Sequence, residues 1–551
     1  MNGLFYLIAS IVLSILNCVI VVFMSYKFLH TYQLNNYHVG RLLNWYRNTN
    51  GRYFKRLTLI SLLSLAGLMV TNILFHGYAH EVFTFSGLIF YFVISAIFVK
   101  YESKIPKKKP LVLTARMKRE YAVIILLTFG ASLGIFKLNY DFLHLGGVIA
   151  SLRFVFIAIT PLLVPIIVFL SAILTAPFEN INNRHYIKKA GRTLSERKDL
   201  IKIGITGSYA KTTVKKILAT ILSKKYKVKA SPESFNTPLG ITRSVGALKS
   251  DDEVFIAEMG ARNIGNIKEL CQMVEPQYGI ITGISNQHLE SFFNIGNVIR
   301  TKCELSDSLA KRNGLTVVNG DTRYFEELKD KIKGEYIICG TANTSFDVYA
   351  ENVTVTGEGS EFDLVLENKK LHCTTKLLGK HNISNIVLAT GLAHKLGVND
   401  EQLVEAISEL EPPKHRLNLI TTPSGMKILD DTFNANVDGV KHALELLSIY
   451  EGRKIIVTPG LVELGAEEKK ANKNFGREIA KVCDLVFLIG KTRSEPIKEG
   501  LIEEGFSEEN ILVYNSLSDA KREFKKYLSA TDVVLLENDL PDDYNEVEPL
   551  K

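Results

Sequence analysis

Five long apolar stretches, at about 4–24, 57–75, 82–99, 121–136 and 148–174, crowd into the first third of this 551-residue chain. A helix needs roughly 20 apolar residues to cross about 30 Å of hydrocarbon, and each stretch meets or approaches that length. They predict an α-helical membrane domain of about five transmembrane helices over residues 1–178. The first stretch has no basic residue ahead of it and no small-residue cleavage site behind it, so it reads as a retained span rather than a signal peptide.

Where the charge lies matters more than its sum. A formal +8 invites a nucleic-acid partner. Up to Asp199, however, 22 Lys and Arg face 7 Asp and Glu, a net +15, which leaves −7 for everything after it. A nucleic-acid partner is therefore not expected. Lys27, Arg41, Arg47, Arg52, Lys55 and Arg56 lie between the first two stretches. Lys100, Lys104, Lys107, Lys108, Lys109, Arg116, Lys118 and Arg119 lie between the third and fourth, whereas loops 76–81 and 137–147 carry only Lys137. Basic loops stay in the cytoplasm, which predicts a multi-pass cell-membrane protein with its N-terminus outside and all that follows the fifth span inside. Residues 179–199, with Arg184, Lys188, Lys189, Arg192 and Arg197, read as a basic juxtamembrane linker near anionic lipid headgroups. Arg153 is the one charge within the spans, and snorkelling to the interface accounts for it. Six scattered cysteines with no CxxC pair exclude a disulfide scaffold and a cysteine zinc site.

From residue 200 onward, short β-rich runs alternate with amphipathic helical stretches, the pattern of an α/β fold. The run 200–206 reads as a buried strand, followed by Gly207-Ser208-Tyr209-Ala210-Lys211-Thr212-Thr213 and a helix through Leu222. Strand, small-residue loop, Lys-Thr and helix together present backbone N–H groups and a helix N-terminus to phosphate. Lys211 is placed to meet the terminal phosphates and Thr212 to give a hydroxyl to Mg²⁺. Ile205 and Ala210 stand where the usual P-loop pattern has glycine, so an ordinary strand-to-helix turn is the competing reading of these residues alone.

Further motifs follow: Asn236-Thr237-Pro-Leu-Gly240, Glu258-Met-Gly260, Asn286-Gln-His288-Leu-Glu290, Arg300-Thr-Lys302-Cys-Glu304, Gly379-Lys-His-Asn382-Ile-Ser-Asn385, His415-Arg416, Asp430-Asp431-Thr-Phe-Asn434-Ala-Asn436 and Gly460-Leu-Val-Glu-Leu-Gly465. With the phosphate loop, this spaced set resembles the Mur ligase family, the ATP-dependent amide-forming enzymes of peptidoglycan precursor synthesis, and within it the MurF type. The resemblance covers about residues 200–551 and implies a P-loop parallel-sheet central domain over 200–411 and a smaller Rossmann-like C-terminal domain over 412–551. It implies ATP and two Mg²⁺ as cofactors. Nucleotide contacts would come from Gly207, Ser208, Ala210, Lys211, Thr212, Thr213, Asn382, Arg416, Asp430 and Asp431. Metal would be held by Thr212, Glu258, His288 and Lys302, the last as a carbamate, and substrate would meet Asn236, Thr237, Asn434 and Asn436. Catalysis would rest on Lys211, His288, Lys302 and Arg416.

The chemistry asks for these residue types in its own right. Joining a carboxylate to an amine with ATP brings a carboxylate oxygen onto the γ-phosphate, and both are negative, so cations must screen the approach. Arg416, just after Pro412-Pro413, would swing in with the C-terminal domain and help exclude water from an acyl phosphate. Each residue also has a plainer reading. Glu258 could be a strand-end surface carboxylate, His288 a loop histidine, Lys302 a helix-face lysine, and Asp430 and Asp431 helix caps.

MurF-type ligases begin with a soluble domain that holds a UDP-sugar, and here the predicted spans stand in its place. The expected substrates are therefore a small-molecule or lipid-linked peptide precursor and an amino acid or dipeptide such as D-alanyl-D-alanine, with other envelope-synthesis membrane enzymes as partners. Two alternatives are a membrane-associated poly-γ-glutamate synthetase-like ligase and a nucleotide-binding membrane scaffold without ligase activity. The acidic tail 537–551 is expected to be mobile.

Overall fold

A computed structural model describes residues 2–35, 37–48, 51–74, 80–103, 110–141, 147–232, 235–285, 289–433, 435–462, 464–491 and 494–539. The chain divides into two compact units, one ending at Asn182 and one spanning Asn183–Leu550.

Six helices open the chain: α1 (Asn2–Leu34), α2 (Val39–Asn48), α3 (Arg52–Leu74), α4 (His80–Ser103), α5 (Ala115–Asp141) and α6 (Gly147–Glu196). Among the described residues, two segments are long and apolar enough to cross a membrane, Leu7–Leu34 and Val155–Glu196, rather than the five expected. The basic residues expected to flank the spans lie inside the helices, Lys55 and Arg56 in α3 and Arg116, Lys118 and Arg119 in α5. The first unit packs with polar groups inside. Asn17 Nδ2 donates to Ser132 Oγ at 3.1 Å, and Tyr91 donates to Asn17 Oδ1 at 3.1 Å. Glu120 is fully buried and accepts from Ser171 at 2.8 Å and Thr175 at 2.6 Å, an interior carboxylate the sequence reading did not foresee. Large apolar side chains such as Leu16, Phe23, Leu62, Ile97, Leu126 and Ile173 face outward. The side chain of Arg153 lies outside the described residues.

The second unit holds two sheets. The larger has nine strands: β1 (Ile201–Thr206), β2 (Val228–Ala230), β3 (Val254–Glu258), β4 (Tyr278–Ile281), β5 (Leu315–Asn319), β6 (Glu335–Gly340), β7 (Val348–Val355), β8 (Ser360–Leu366) and β9 (Lys369–Thr375), in the order β2-β3-β1-β4-β5-β6-β7-β8-β9. Its strands are parallel as far as β7, but β7, β8 and β9 form an antiparallel meander, so the sheet is mixed where a parallel one was expected. The turn between β8 and β9 is Glu367-Asn368 with φ of 47° and 67°, and a two-residue turn of this kind closes only an antiparallel pair.

The smaller sheet has six strands: β10 (Asn418–Thr421), β11 (Lys427–Asp431), β12 (Lys454–Thr458), β13 (Leu485–Ile489), β14 (Ile511–Tyr514) and β15 (Val533–Glu537), in the order β10-β11-β15-β12-β13-β14. All pairs are parallel except β10–β11. The near-continuous Val, Ile and Leu runs of these strands bury both faces under helices. In open sheets of this kind ligands gather at the carboxyl ends of parallel strands, which here means Thr206, Glu258, Asp431 and Glu537.

Candidate functional site

β1 ends at Thr206 and the chain turns through Gly207, whose φ is 155°. A side chain there is excluded, because a Cβ would lie 2.0 Å from Thr282 Oγ1. Ser208 N donates to Gly283 O at 2.7 Å and its hydroxyl to Ser285 O at 3.2 Å, which tie the loop to the end of β4. Ala210 precedes the helix Lys211–Leu222 with φ 62° and ψ −1°, a left-handed conformation that suits glycine. The alanine noted in the sequence thus sits at a loop position where it is strained. Lys211 Nζ folds back onto the loop carbonyls of Gly207 at 2.8 Å and Ser208 at 3.0 Å. Desolvation lowers its pKa to about 8; Glu258 opposes the shift and Arg416 adds to it. The first N–H groups of the helix, at Lys211, Thr212 and Thr213, have no intrahelical acceptor and face the loop.

Beside the loop, β3 delivers Glu258, 1% exposed. Thr212 Oγ1 donates to Glu258 Oε2 at 3.0 Å, Lys215 Nζ lies 2.9 Å from the same oxygen, and Asn236 Nδ2 donates to Oε1 at 3.1 Å. Burial pushes the Glu258 pKa up, but Lys215 and Lys211 more than offset it and hold the carboxylate below its usual range. The donors fit Mg²⁺. Adjacent ligands of an octahedral ion with bonds of about 2.0–2.1 Å lie roughly 2.9 Å apart, the spacing seen between the Thr212 and Glu258 oxygens. Among the described residues no group of three or more His, Cys, Asp and Glu could hold a metal, so this corner offers one carboxylate and one hydroxyl, as a site completed by phosphate and water would. Gly260 is required here as well, since a Cβ on it would press to 2.7 Å from Asn236.

Lys302, on the helix Ile295–Ala310, is 3% exposed and has no hydrogen-bond or ion-pair partner among the described residues. Burial, with the charge of Lys211 nearby, drives its pKa well below the ordinary lysine value.

From the C-terminal domain, Arg416 lies over the Phe433 ring at 4.5 Å and acts electrostatically on both Lys211 and Glu258. The structure thus gathers Lys211, Thr212, Asn236, Glu258, Lys302 and Arg416 around one loop, with Asp431 behind Arg416. Four other predicted residues are engaged locally. Thr237 caps the helix Pro238–Val245, and Asn436 caps the helix Val437–Ile449. Asn382 bonds Leu378 O at 2.8 Å, and Asp430 is held by His415 at 2.8 Å and Thr432 Oγ1 at 2.6 Å. His288 and Asn434 lie outside the described residues.

Sequence reading missed Lys215, whose only signal is its place four residues after Lys211 on one helix face. It also missed the stack of His381 on His442, at 5.2 Å between ring centroids, which joins the two domains next to Asn382. Glu537 was assigned to a mobile tail. Instead it ends β15 fully buried, and Asn538 and Asp539 are tied to Asp431 O and Thr432 O through their backbone N–H groups.

The chain is similar to known proteins over these two domains. Residues 205–393 match the Mur ligase middle domain and residues 415–537 the Mur ligase glutamate ligase domain. The chain is 29% identical over 337 residues to UDP-N-acetylmuramoyl-tripeptide--D-alanyl-D-alanine ligase of Bacillus subtilis, covering 60% of this chain and 72% of that protein. A Buchnera aphidicola ligase of the same name is 29% identical over 294 residues, covering 53% of this chain and 64% of its own length. Among solved structures, MurF from Acinetobacter baumannii superposes with a TM-score of 0.60 at 22% identity, covering 66% of this chain and 78% of that one. MurF from Thermotoga maritima superposes with a TM-score of 0.57 at 22% identity, covering 65% and 80%. These superpositions establish a shared fold.

Proposed function

Since the chain belongs to the Mur ligase family, we propose that it is a membrane-anchored, ATP-dependent, ADP-forming amide ligase of cell-wall precursor synthesis. It activates a peptide carboxylate as an acyl phosphate, and an amine such as D-alanyl-D-alanine displaces the phosphate. The observation that carries this reading is the meeting of Thr212, Glu258 and Lys211 on one loop with Arg416 supplied from the second domain. A nucleotide-binding scaffold has no use for a metal-ligand pair and two converging cations beside the phosphate loop.

Each residue has a task in this reading. The helix N-terminus and Lys211 hold the phosphates, and Arg416 neutralises charge that grows on the transferred phosphoryl group. Thr212 and Glu258 would hold Mg²⁺, which supplies further screening between the two anions. Lys302, buried and with no hydrogen-bond or ion-pair partner among the described residues, has its pKa driven well below the ordinary lysine value, which favours the neutral form of an amine that adds CO₂; as a carbamate it would become an anion suited to a second Mg²⁺. Domain contact at Arg416 and at the His381–His442 stack keeps water from the acyl phosphate.

Membrane anchoring is supported by the many large apolar side chains that the first unit turns outward, among them Leu16, Phe23, Leu62, Ile97, Leu126 and Ile173, together with its two span-length helices. The basic residues Arg184, Lys188, Lys189, Arg192 and Arg197, just before the ligase domains, favour the cytoplasmic side for those domains. Mass analysis tests the reading. Membranes carrying the full chain are supplied with ATP, Mg²⁺, D-alanyl-D-alanine and either a UDP-linked or a lipid-linked muramoyl peptide. A product heavier by the dipeptide less one water supports it and identifies the acceptor. A glutamate-dependent polymer, or no product from either acceptor, would defeat it.

A further inference from the structure

A basic pocket lies in the first unit. Between the end of α2 and the first turns of α3 is a cavity of about 340 Å³, lined by Tyr46, Arg47, Gly51, Phe54 and Lys55. Tyr46 and Phe54 wall it, their rings edge-on with centroids 6.0 Å apart. Gly51 makes the turn at φ 61°, and its N–H donates to Tyr46 O at 3.1 Å. A side chain at Gly51 would be strained, and its Cβ would stand 3.5 Å from the Tyr46 hydroxyl, so glycine keeps this side of the cavity open. Arg47 and Lys55 are exposed, and neither side chain has a hydrogen bond or an ion pair among the described residues. Their neighbour Arg56 shows the contrast, since Glu102 pairs with it and its guanidinium lies over the Tyr101 ring at 5.6 Å.

The packing of α3 on α1 sets the depth of this pocket. Tyr53, between Gly51 and Phe54, donates to Met24 O at 2.9 Å and lies edge-on to Phe28 at 5.3 Å. Met24 ends the first apolar stretch and Lys27 follows it, while the apolar stretch of α3 begins at Leu57. The cavity thus lies where two apolar stretches give way to basic residues, the depth of lipid phosphates. Trp45, Tyr46 and Tyr53 are the residue types that settle at that interface.

We propose that this pocket binds the phosphate headgroup of an anionic glycerophospholipid, with Arg47 and Lys55 on the phosphate and Tyr46 and Phe54 against the glycerol and the first acyl carbons. This rests on the membrane-anchored reading above. A guanidinium fork engages two phosphate oxygens and an ammonium takes a third, a division that a planar carboxylate with two oxygens cannot use. The volume falls at the lower end of small-ligand pockets, about 300–1,000 Å³, which suits one headgroup.

The test titrates the full chain, in a neutral detergent, with dihexanoyl phosphatidylglycerol, with dihexanoyl phosphatidylcholine and with inorganic phosphate, read by native mass spectrometry. Wild type is compared with Arg47→Gln/Lys55→Gln and with Lys188→Gln/Lys189→Gln, which removes the same charge from two exposed lysines elsewhere. The expected result is one tightly held phosphatidylglycerol per chain, weakened about tenfold or more in the pocket variant and within about twofold of wild type in the control. Phosphatidylcholine and inorganic phosphate should bind more weakly. No phosphatidylglycerol bound, equal weakening in both variants, or phosphatidylcholine or free phosphate held as tightly would overturn the proposal. Thermal unfolding without lipid checks that the variants fold; if the double variant does not, Lys55→Gln alone decides by the same comparison. Cell fractionation tests the membrane reading separately. A full chain found in the soluble fraction defeats that reading by itself, and the titration still decides the pocket because the dihexanoyl lipids are soluble.

Discussion

Lys215 Nζ lies 2.9 Å from Glu258 Oε2, and both side chains are 2% exposed. A buried ion pair is costly to desolvate, and breaking one partner away leaves the other charged and alone. Lys215 thus holds the Glu258 carboxylate ionised and in place. Lys215→Met should lower the unfolding free energy by about 3–5 kcal/mol, measured by urea unfolding of the full chain. A cost near zero would show that the pair is incidental.

The same pair sets a pH window. Glu258 is held below the ordinary value of 4.5, so its contribution is full above that pH and is lost as pH falls through the lower folded value. Between pH 5 and pH 3 the wild type should therefore lose more stability than Lys215→Met does.

Ala210 occupies φ 62° at the helix start. Non-glycine residues pay about 1–2 kcal/mol there, partly offset by the extra freedom glycine gains when unfolded. Ala210→Gly should stabilise the protein by about 0.5–1 kcal/mol and tighten ATP binding. Thermal unfolding and nucleotide titration check both, and a destabilised variant would refute the strain.

Lys211 titrates near pH 8 in the free protein. Phosphate beside it must raise that value, so nucleotide binding above pH 8 should take up a proton and weaken as the pH rises. Calorimetry at pH 8.5 in two buffers of different ionisation heat measures this directly. Proton release, or no transfer, would contradict the placement of Lys211 on the phosphates.

Arg416→Ala should lower kcat by about 10²–10³, the range for removing one preorganised donor from a developing charge. The melting temperature should change little, because Arg416 is half-buried and its loss lets Asp431 and Glu537 take up protons. Phosphate-release kinetics and a melting curve on one preparation separate the two effects.

What could be read from the sequence follows from how local each signal is. The strand 200–206, the glycine turn at Gly207 and the Lys-Thr pair lie within one short stretch, and the observed β1 and helix Lys211–Leu222 match it closely. Strands Leu485–Ile489 and Ile511–Tyr514 likewise coincide with continuous apolar runs. Lys215 was not, because a lysine on a helix face looks solvated until a strand delivers Glu258 to it. Glu537 looked like the start of an acidic tail, and only its register with Asp431 shows it to be interior. Asp430 and Asp431 could not be told apart by type. The fold gives His415 to the first and Arg416 to the second. In the first unit apolar length predicts five spans, and two segments long and apolar enough to cross a membrane lie among the described residues.

The central claim is that this loop couples ATP cleavage to amide formation, and phosphate release by the full chain tests it most directly. With ATP and Mg²⁺, phosphate should appear only when a muramoyl peptide and D-alanyl-D-alanine are both present, in one-to-one ratio with the amide product, and should vanish in Thr212→Val. Release that needs neither substrate, or that survives Thr212→Val unchanged, would contradict it.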